Sequence, residues 1–273
     1  MKHIRLLILV LLALTFASNT NAQSKSYANM TEKEKSDFVA GKIDDLTTVI
    51  SGKTFAFNAD FKLQVAKYVD AYAKRVGSNR KTGFFTDDLN LVLQRGSEAA
   101  PAINRAFDKS GISRLSGLYI AMIESEFDAS IKNPTGSVGL FQIDKARAQK
   151  YGLALKDRSD AEKAADAAAR YLKDNQVYFA ERKMKEFLAI LSWNREPKKI
   201  NFDLNFKFMF DDENVACPIC GLNGSPNRFD KQFQTEAVKY IPKFLAAAIV
   251  GENPANFGLS TKPLSNLNRK FEE

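Results

Sequence analysis

The 273-residue chain has one histidine, two cysteines and one tryptophan. The histidine is His3, inside a segment that reads as removable. Lys2 and Arg5 make a basic start, Ile4 to Phe16 is nearly all apolar, and small and polar residues lead to Ala22. That is the pattern of a secretory signal peptide, residues 1–22, cut after Ala22. The apolar run is too short to span a bilayer comfortably, and no later stretch is long and apolar enough. No cysteine lies near the cut to take a lipid. Once His3 leaves, the mature chain can hold neither a Ser-His-Asp or Cys-His triad nor a histidine-ligated zinc site. Acid–base chemistry falls to Asp, Glu, Lys, Tyr or Cys.

The two cysteines are Cys217 and Cys220, in Cys-Pro-Ile-Cys. Two thiolates are half of a structural zinc site, and nothing in the sequence supplies the other half. In an exported protein the expected state is a disulfide. A redox-active dithiol is the alternative, but that motif usually follows a strand in a βαβ unit, which this sequence does not show. Removing Lys2 and Arg5 lowers the formal charge from +8 to +6. A basic exported protein suits an anionic wall or membrane surface, with nucleic acid the least expected partner. Lys and Glu alternate along the helical stretches, the pattern of a solvated face rather than a binding stripe.

The rest reads as mostly helical. Thr31-Glu-Lys-Glu34 is a capping box. Leu63, Ala66, Val69, Ala73 and Val76 recur at helical spacing after Asp60, with Gly77 as the stop. Two short helices are expected over 86–95 and 97–110, separated by Gly96. Ser113 opens an apolar helix; 144–151, 159–180 and 183–194 follow. The last long helix spans about 230–250, with a kink expected at Pro242. One stretch breaks the habit. Phe202, Leu204, Phe206, Phe208 and Phe210 alternate with mostly polar residues, which predicts a half-buried strand. With the Cys-Pro-Ile-Cys clip just beyond, residues 198–229 read as a small lobe of β character.

The apolar helix runs into Glu124 and Glu126. Glu124 shares a face with Gly117, Ile120 and Ala121; Glu126 shares another with Tyr119, Met122 and Ile123. Two residues apart, they do not form a close acid pair. A carboxyl among apolar neighbours is pushed toward its protonated form, which suits glycosidic cleavage. Ordinary pairing of a helix-end Glu with an Arg is the alternative that spacing leaves open.

Glu124-Ser125-Glu126-Phe127 followed by Gly136-Ser137-Val138-Gly139-Leu140-Phe141-Gln142 resembles the signature of lytic transglycosylases with a goose-type-lysozyme-like fold. Ala146-Arg147, Tyr151-Gly152-Leu153, Asp157-Arg158 and the Ala-rich 167–172 continue the likeness. Glu236, Tyr240, Ile241, Pro242 and Lys243 match the family's C-terminal motif. Leu93-Gln94-Arg95 and Leu118 to Glu124 look most like the membrane-bound type D branch. Ordered motifs at matching spacing are more specific than any one alone. The likeness covers roughly residues 90–250. It departs at Ser192-Trp193-Asn194-Arg195-Glu196, where the family has Ala-Tyr-Asn-Ala-Gly, at Asn133, often Ser, and at Ala237, usually Thr.

The resemblance implies a mainly α, lysozyme-like domain over 111–250, with a helical extension over 23–110, the lobe at 198–229 and a polar tail at 251–273. It implies cleavage of the β-1,4 bond between N-acetylmuramic acid and N-acetylglucosamine in peptidoglycan, leaving 1,6-anhydro ends, in the periplasm or envelope of a bacterium. Glu124 matches the single catalytic acid/base. Gln142 and the Gly139-Leu140-Phe141 backbone match a sugar-binding wall, with Ser125, Asn133, Ser137, Trp193 and Asn194 beside it. Tyr240 matches a tyrosine that steadies the acid's proton. No metal or organic cofactor is implied. A lysozyme-type hydrolase of the same bond and a non-catalytic wall-binding protein remain the alternatives.

Overall fold

The computed structural model describes residues 25–78, 87–208 and 217–268. The expected signal peptide, residues 1–22, lies outside them. Helix α1 (Glu32–Ser51) starts at the expected box: Thr31 Oγ1 accepts from the Glu34 N–H, and Glu34 returns to the Thr31 N–H. Helix α2 (Ala59–Ala73) is capped by Asn58, whose Oδ1 accepts from the Phe61 N–H. Its Phe61, Val65 and Val69 are buried.

The two short helices expected before residue 110 are one, α3 (Leu89–Ser110). Gly96 is not a stop. It sits against the Phe127 ring, where a Cβ would come within 2.8 Å of the ring edge. Missing bulk, not backbone freedom, is what the site requires. Helix α4 (Arg114–Ser125) carries Glu124 and is buried at every position from Leu115 to Met122. Such a helix is stable only inside a core. Helices α5 (Lys145–Lys150), α6 (Ala161–Tyr178) and α7 (Lys185–Leu191) follow. The last long helix, α10 (Val238–Glu252), is the axle. It packs against α1, α2, α4 and α7, while α3 packs against α4 and α6. Apolar residues on nearly every side of α10 explain its central place. Before it, Phe233–Ala237 form a π-helical turn, and the helix then continues through Pro242.

The β lobe is corrected. Residues Pro197–Phe208 form a helix, α8, and Pro218–Gly224 form α9. Among the described residues there is no strand, only isolated bridges of Val138 with Lys132 and Ile143. Period two failed because burial follows a helical pattern instead. Ile200, Asp203 and Leu204 are inside while Phe202 is 69% exposed. Residues 209–216, the end of the expected strand among them, lie outside the described residues. The Cys217–Cys220 disulfide is present, and Cys217 Sγ also caps α9 by accepting from the Cys220 N–H. The C-terminal segment is described as far as residue 268. Leu264 is fully buried, and the Asn104 amide donates to the carbonyls of Leu264 and Leu267. No helix among the described residues is long and apolar enough to cross a membrane.

Candidate active site

Glu124 stands in the last turn of α4, partly open to solvent but set in apolar packing. Burial raises its pKa from 4.5 to about 7, against the opposing pull of Tyr240, Arg147 and Lys243. The group is therefore about half protonated near neutral pH. Tyr240 Oη donates to Glu124 Oε1 at 2.8 Å. Tyr240 itself is buried, and burial beside Glu124 drives its own pKa far up, so it stays a donor. The two residues are 116 apart in sequence. The π turn just upstream adds a residue to the helical repeat, an offset of about 100° about the axis. It thereby rotates Tyr240 relative to the residues that precede the turn. Such turns recur at functional sites.

Glu126 has a different fate. It closes α4 in the left-handed region, φ 51°, and its carboxylate pairs with Arg75 and lies 3.8 Å from Arg95. Arg95 Nε also donates to the Glu126 carbonyl. It is a buried, paired carboxylate that anchors the end of the acid's helix.

The turn over 136–142 is built for close approach. Gly139 has φ 80°, and a Cβ there would fall 2.2 Å from the Arg158 carbonyl oxygen. Only glycine meets both demands. Gln142 takes φ 46° without being glycine, a strained conformation of the kind that collects at functional sites. Its amide donates to the Gly139 carbonyl at 2.8 Å and to that of Ile131 at 3.3 Å. Ser125 Oγ donates to the Leu140 carbonyl at 2.8 Å, which ties the turn to the helix one residue past Glu124. Buried Arg158 donates to the carbonyls of Gly136, Ile143 and Leu155 and clamps the turn from behind.

The candidate residues thus divide. The side chains of Ser125, Leu140, Phe141 and Trp193 point into the core, so they support the turn and present no surface to a sugar. Trp193 Nε1 donates to the Phe141 carbonyl at 3.0 Å. Asn133 shapes its own loop: Oδ1 accepts from the N–H and hydroxyl of Thr135, and its N–H donates to the Ser137 carbonyl. Ser137 stays partly exposed. The amide of Gln232 donates to the side-chain and backbone oxygens of Asn194.

Residues outside the expected set complete the site. The Arg147 guanidinium lies 4.4 Å from the Tyr171 ring centre and 4.3 Å from that of Trp193, against two rings that themselves meet edge to face, and it donates to the Trp193 carbonyl. Its charge favours the Glu124 carboxylate, as does that of Lys243. Arg147, Lys243 and Arg158 all stand in stretches quoted for the resemblance. Spacing could not single them out, because they come from separate elements. Among the described residues no group of His, Cys, Asp and Glu side chains is placed to hold a metal ion.

The arrangement is that of a mainly α, lysozyme-like domain presenting one half-protonated carboxyl, backed by a tyrosine and two cations, beside a glycine-bearing turn. Residues 101–215 match the family model described as "Transglycosylase SLT domain". That stretch holds Glu124, the Gly139–Gln142 turn and Trp193-Asn194, and it supports the relation to lytic transglycosylases and hence an enzyme acting on peptidoglycan. It stops short of Tyr240 and α10. No curated protein matches the chain.

Proposed function

We propose that this protein is a peptidoglycan lytic transglycosylase, exported to the cell envelope, with Glu124 as its single acid/base. The observation that carries the reading is the company Glu124 keeps. Among the described residues the groups acting on it are a phenol and two cations, with no second carboxylate. Most glycosidases that hydrolyse use two carboxyl groups, one as acid and one as nucleophile or base. A substrate that brings its own nucleophile needs only one.

In this mechanism protonated Glu124 gives its proton to the oxygen linking N-acetylmuramic acid to N-acetylglucosamine, and the C1–O bond breaks. The resulting carboxylate, held by Tyr240 Oη and favoured by Arg147 and Lys243, takes the proton of the muramoyl 6-hydroxyl. O6 then bonds to C1. Glu124 ends protonated, no water is consumed, and the product carries a 1,6-anhydro end. The tethered 6-hydroxyl replaces an activated water by proximity. The peptide groups of the Gly139–Gln142 turn form the wall against which the sugar is set, and exposed Ser137 lies at its rim.

The test is digestion of purified cell wall followed by mass spectrometry of the released muropeptides. Anhydro ends, one water lighter than reducing ends, are expected from the wild-type chain. Glu124→Gln is expected to release none. Reducing ends would make the protein a hydrolase. Binding without release from the wild type would make it a wall-binding protein, and full activity of Glu124→Gln would remove Glu124 from the chemistry.

A further inference from the structure

A second hollow lies outside the acid's surroundings. It has a volume of about 320 Å³ and is walled by α8 on one side and by Arg228 to Asp230 on the other. Its floor is the buried guanidinium of Arg195. That group is bound by Asp203 at 2.6 and 3.1 Å and by Asp230 at 3.0 Å, and it donates to Gln232 Oε1 at 2.7 Å. Both aspartates are thereby occupied. Lys198 and Lys199 stand on the wall with no ion-pair partner among the described residues. Between them and the floor is the Phe202 ring, 69% exposed, stacked on Phe206 with centres 6.4 Å apart and planes 17° apart.

Lys199 also acts on Asp203 and Asp230, but four cations, Arg195, Lys198, Lys199 and Arg228, face these two carboxylates, so the lining is net cationic around the apolar Phe202 ring. The matching ligand is anionic with an aliphatic body. Short peptides with several carboxylates and few aromatic groups have this character. So do the stem peptides attached to muramic acid. A glycan strand without stem peptides keeps only the lactyl carboxylate of each muramic acid and lacks the aliphatic peptide body that Phe202 would take.

The hollow is also joined mechanically to the acid's surroundings. Gln232 bridges Arg195 to Asn194; Asn194 follows Trp193; and Trp193 holds both the Phe141 carbonyl and the Arg147 guanidinium. A ligand seated on α8 would thus be held by the same framework that fixes the turn beside Glu124.

We propose that the hollow between α8 and residues 228–230 is an accessory subsite for the anionic stem peptide of the wall polymer. Lys198 and Lys199 take its carboxylates and Phe202 takes its aliphatic part. The choice of ligand rests on the proposed function, whereas the anionic preference rests on the hollow alone.

The experiment uses the full mature chain carrying Glu124→Gln, so that nothing is cleaved. Calorimetry with a synthetic stem tetrapeptide is expected to show salt-sensitive binding. Lys198→Ala/Lys199→Ala and, separately, Phe202→Ala are each expected to weaken it roughly tenfold, the first through lost charge-assisted hydrogen bonds and the second through lost apolar burial. All three side chains are at the surface, and unchanged circular dichroism and melting temperature would show the fold intact. Absence of tetrapeptide binding, or binding that these substitutions leave unchanged, overturns the proposal. So does equal loss for a peptide-free chitotetraose. In chains with Glu124 intact, the same substitutions are expected to raise KM on peptide-bearing wall, and Phe202→Ala is expected to leave it unchanged on strands stripped of peptide by an amidase, which keep the lactyl carboxylate but no aliphatic peptide. If the wild-type chain cleaves neither substrate, the proposed function fails while the tetrapeptide result still judges the hollow.

Discussion

Glu124→Gln should stabilise the protein in alkaline solution and leave acidic stability nearly unchanged. The folded pKa of Glu124 is about 7 and its ordinary value is 4.5. Between these values the folded chain binds more protons at this site than the unfolded chain, so stability falls as pH rises through the window. Below 4.5 both states are protonated and the site contributes nothing through ionisation. Above 7 the full cost of holding a buried carboxylate is present. A rise of this size, at about 1.4 kcal/mol per unit, is worth about 3 kcal/mol. A glutamine carries no charge at any pH and keeps the hydrogen bond from Tyr240 Oη. It also brings an NH2 group that needs a partner, so about 3 kcal/mol is an upper bound.

The assay is thermal denaturation of the two proteins at intervals from pH 4 to 9. Every other titrating group is common to both, so the difference between the curves isolates Glu124. The variant should gain steadily from about pH 5 to pH 8, reaching up to roughly 6–10 °C in melting temperature for a chain of this size. A pH-independent difference, or a variant less stable at pH 8, would mean that Glu124 is a structurally paired carboxylate. The acid/base assignment would then lose its physical basis.

Tyr240→Phe removes the donor that favours the carboxylate form, so the Glu124 pKa should rise by about one unit. The alkaline limb of the pH–rate profile should move up by the same amount; an unmoved limb would separate the tyrosine from the acid. Gly139→Ala should cost about 2–4 kcal/mol, because a Cβ at φ 80° meets the Arg158 carbonyl; urea denaturation reads this directly, and a neutral effect would show that the turn yields. Thiol counting on the exported protein should find no free thiol. Reduction of the Cys217–Cys220 bond should cost about 2 kcal/mol, since the loop it closes is very short; two free thiols in the native protein would refute the clip.

Much of the site could be read locally. An apolar helix ending in a glutamate, a glycine-bearing turn at fixed spacing and a tyrosine in a C-terminal motif are each patterns that span only a few residues. Glu126 was separable from Glu124 by helical phase alone, and the structure gives it Arg75 and Arg95 as partners. The capping box at Thr31 and the clip at Cys217–Cys220 are likewise local chemistry. The strand expected over 202–210 failed for a reason that composition hides. A helix exposing Phe202 and burying Ile200, Asp203 and Leu204 can also read as an alternation when Phe is frequent. Gly96 read as a stop because its actual role, room for the Phe127 ring, is set by a contact 31 residues away.

The sequence alone determined the helical class through residue type and short-range period, and its ordered motifs, not period, singled out Glu124 as the proposed acid. Only the tertiary structure decided that Arg147 lies against the Tyr171 and Trp193 rings and that Arg158 clamps the turn. It also decided that Ser125 and Trp193 face inward and that Arg195 binds two aspartates beneath an open hollow. A side chain's partner is chosen by which helices pack together, and that choice is made by the burial of whole faces around α10, which no local window contains.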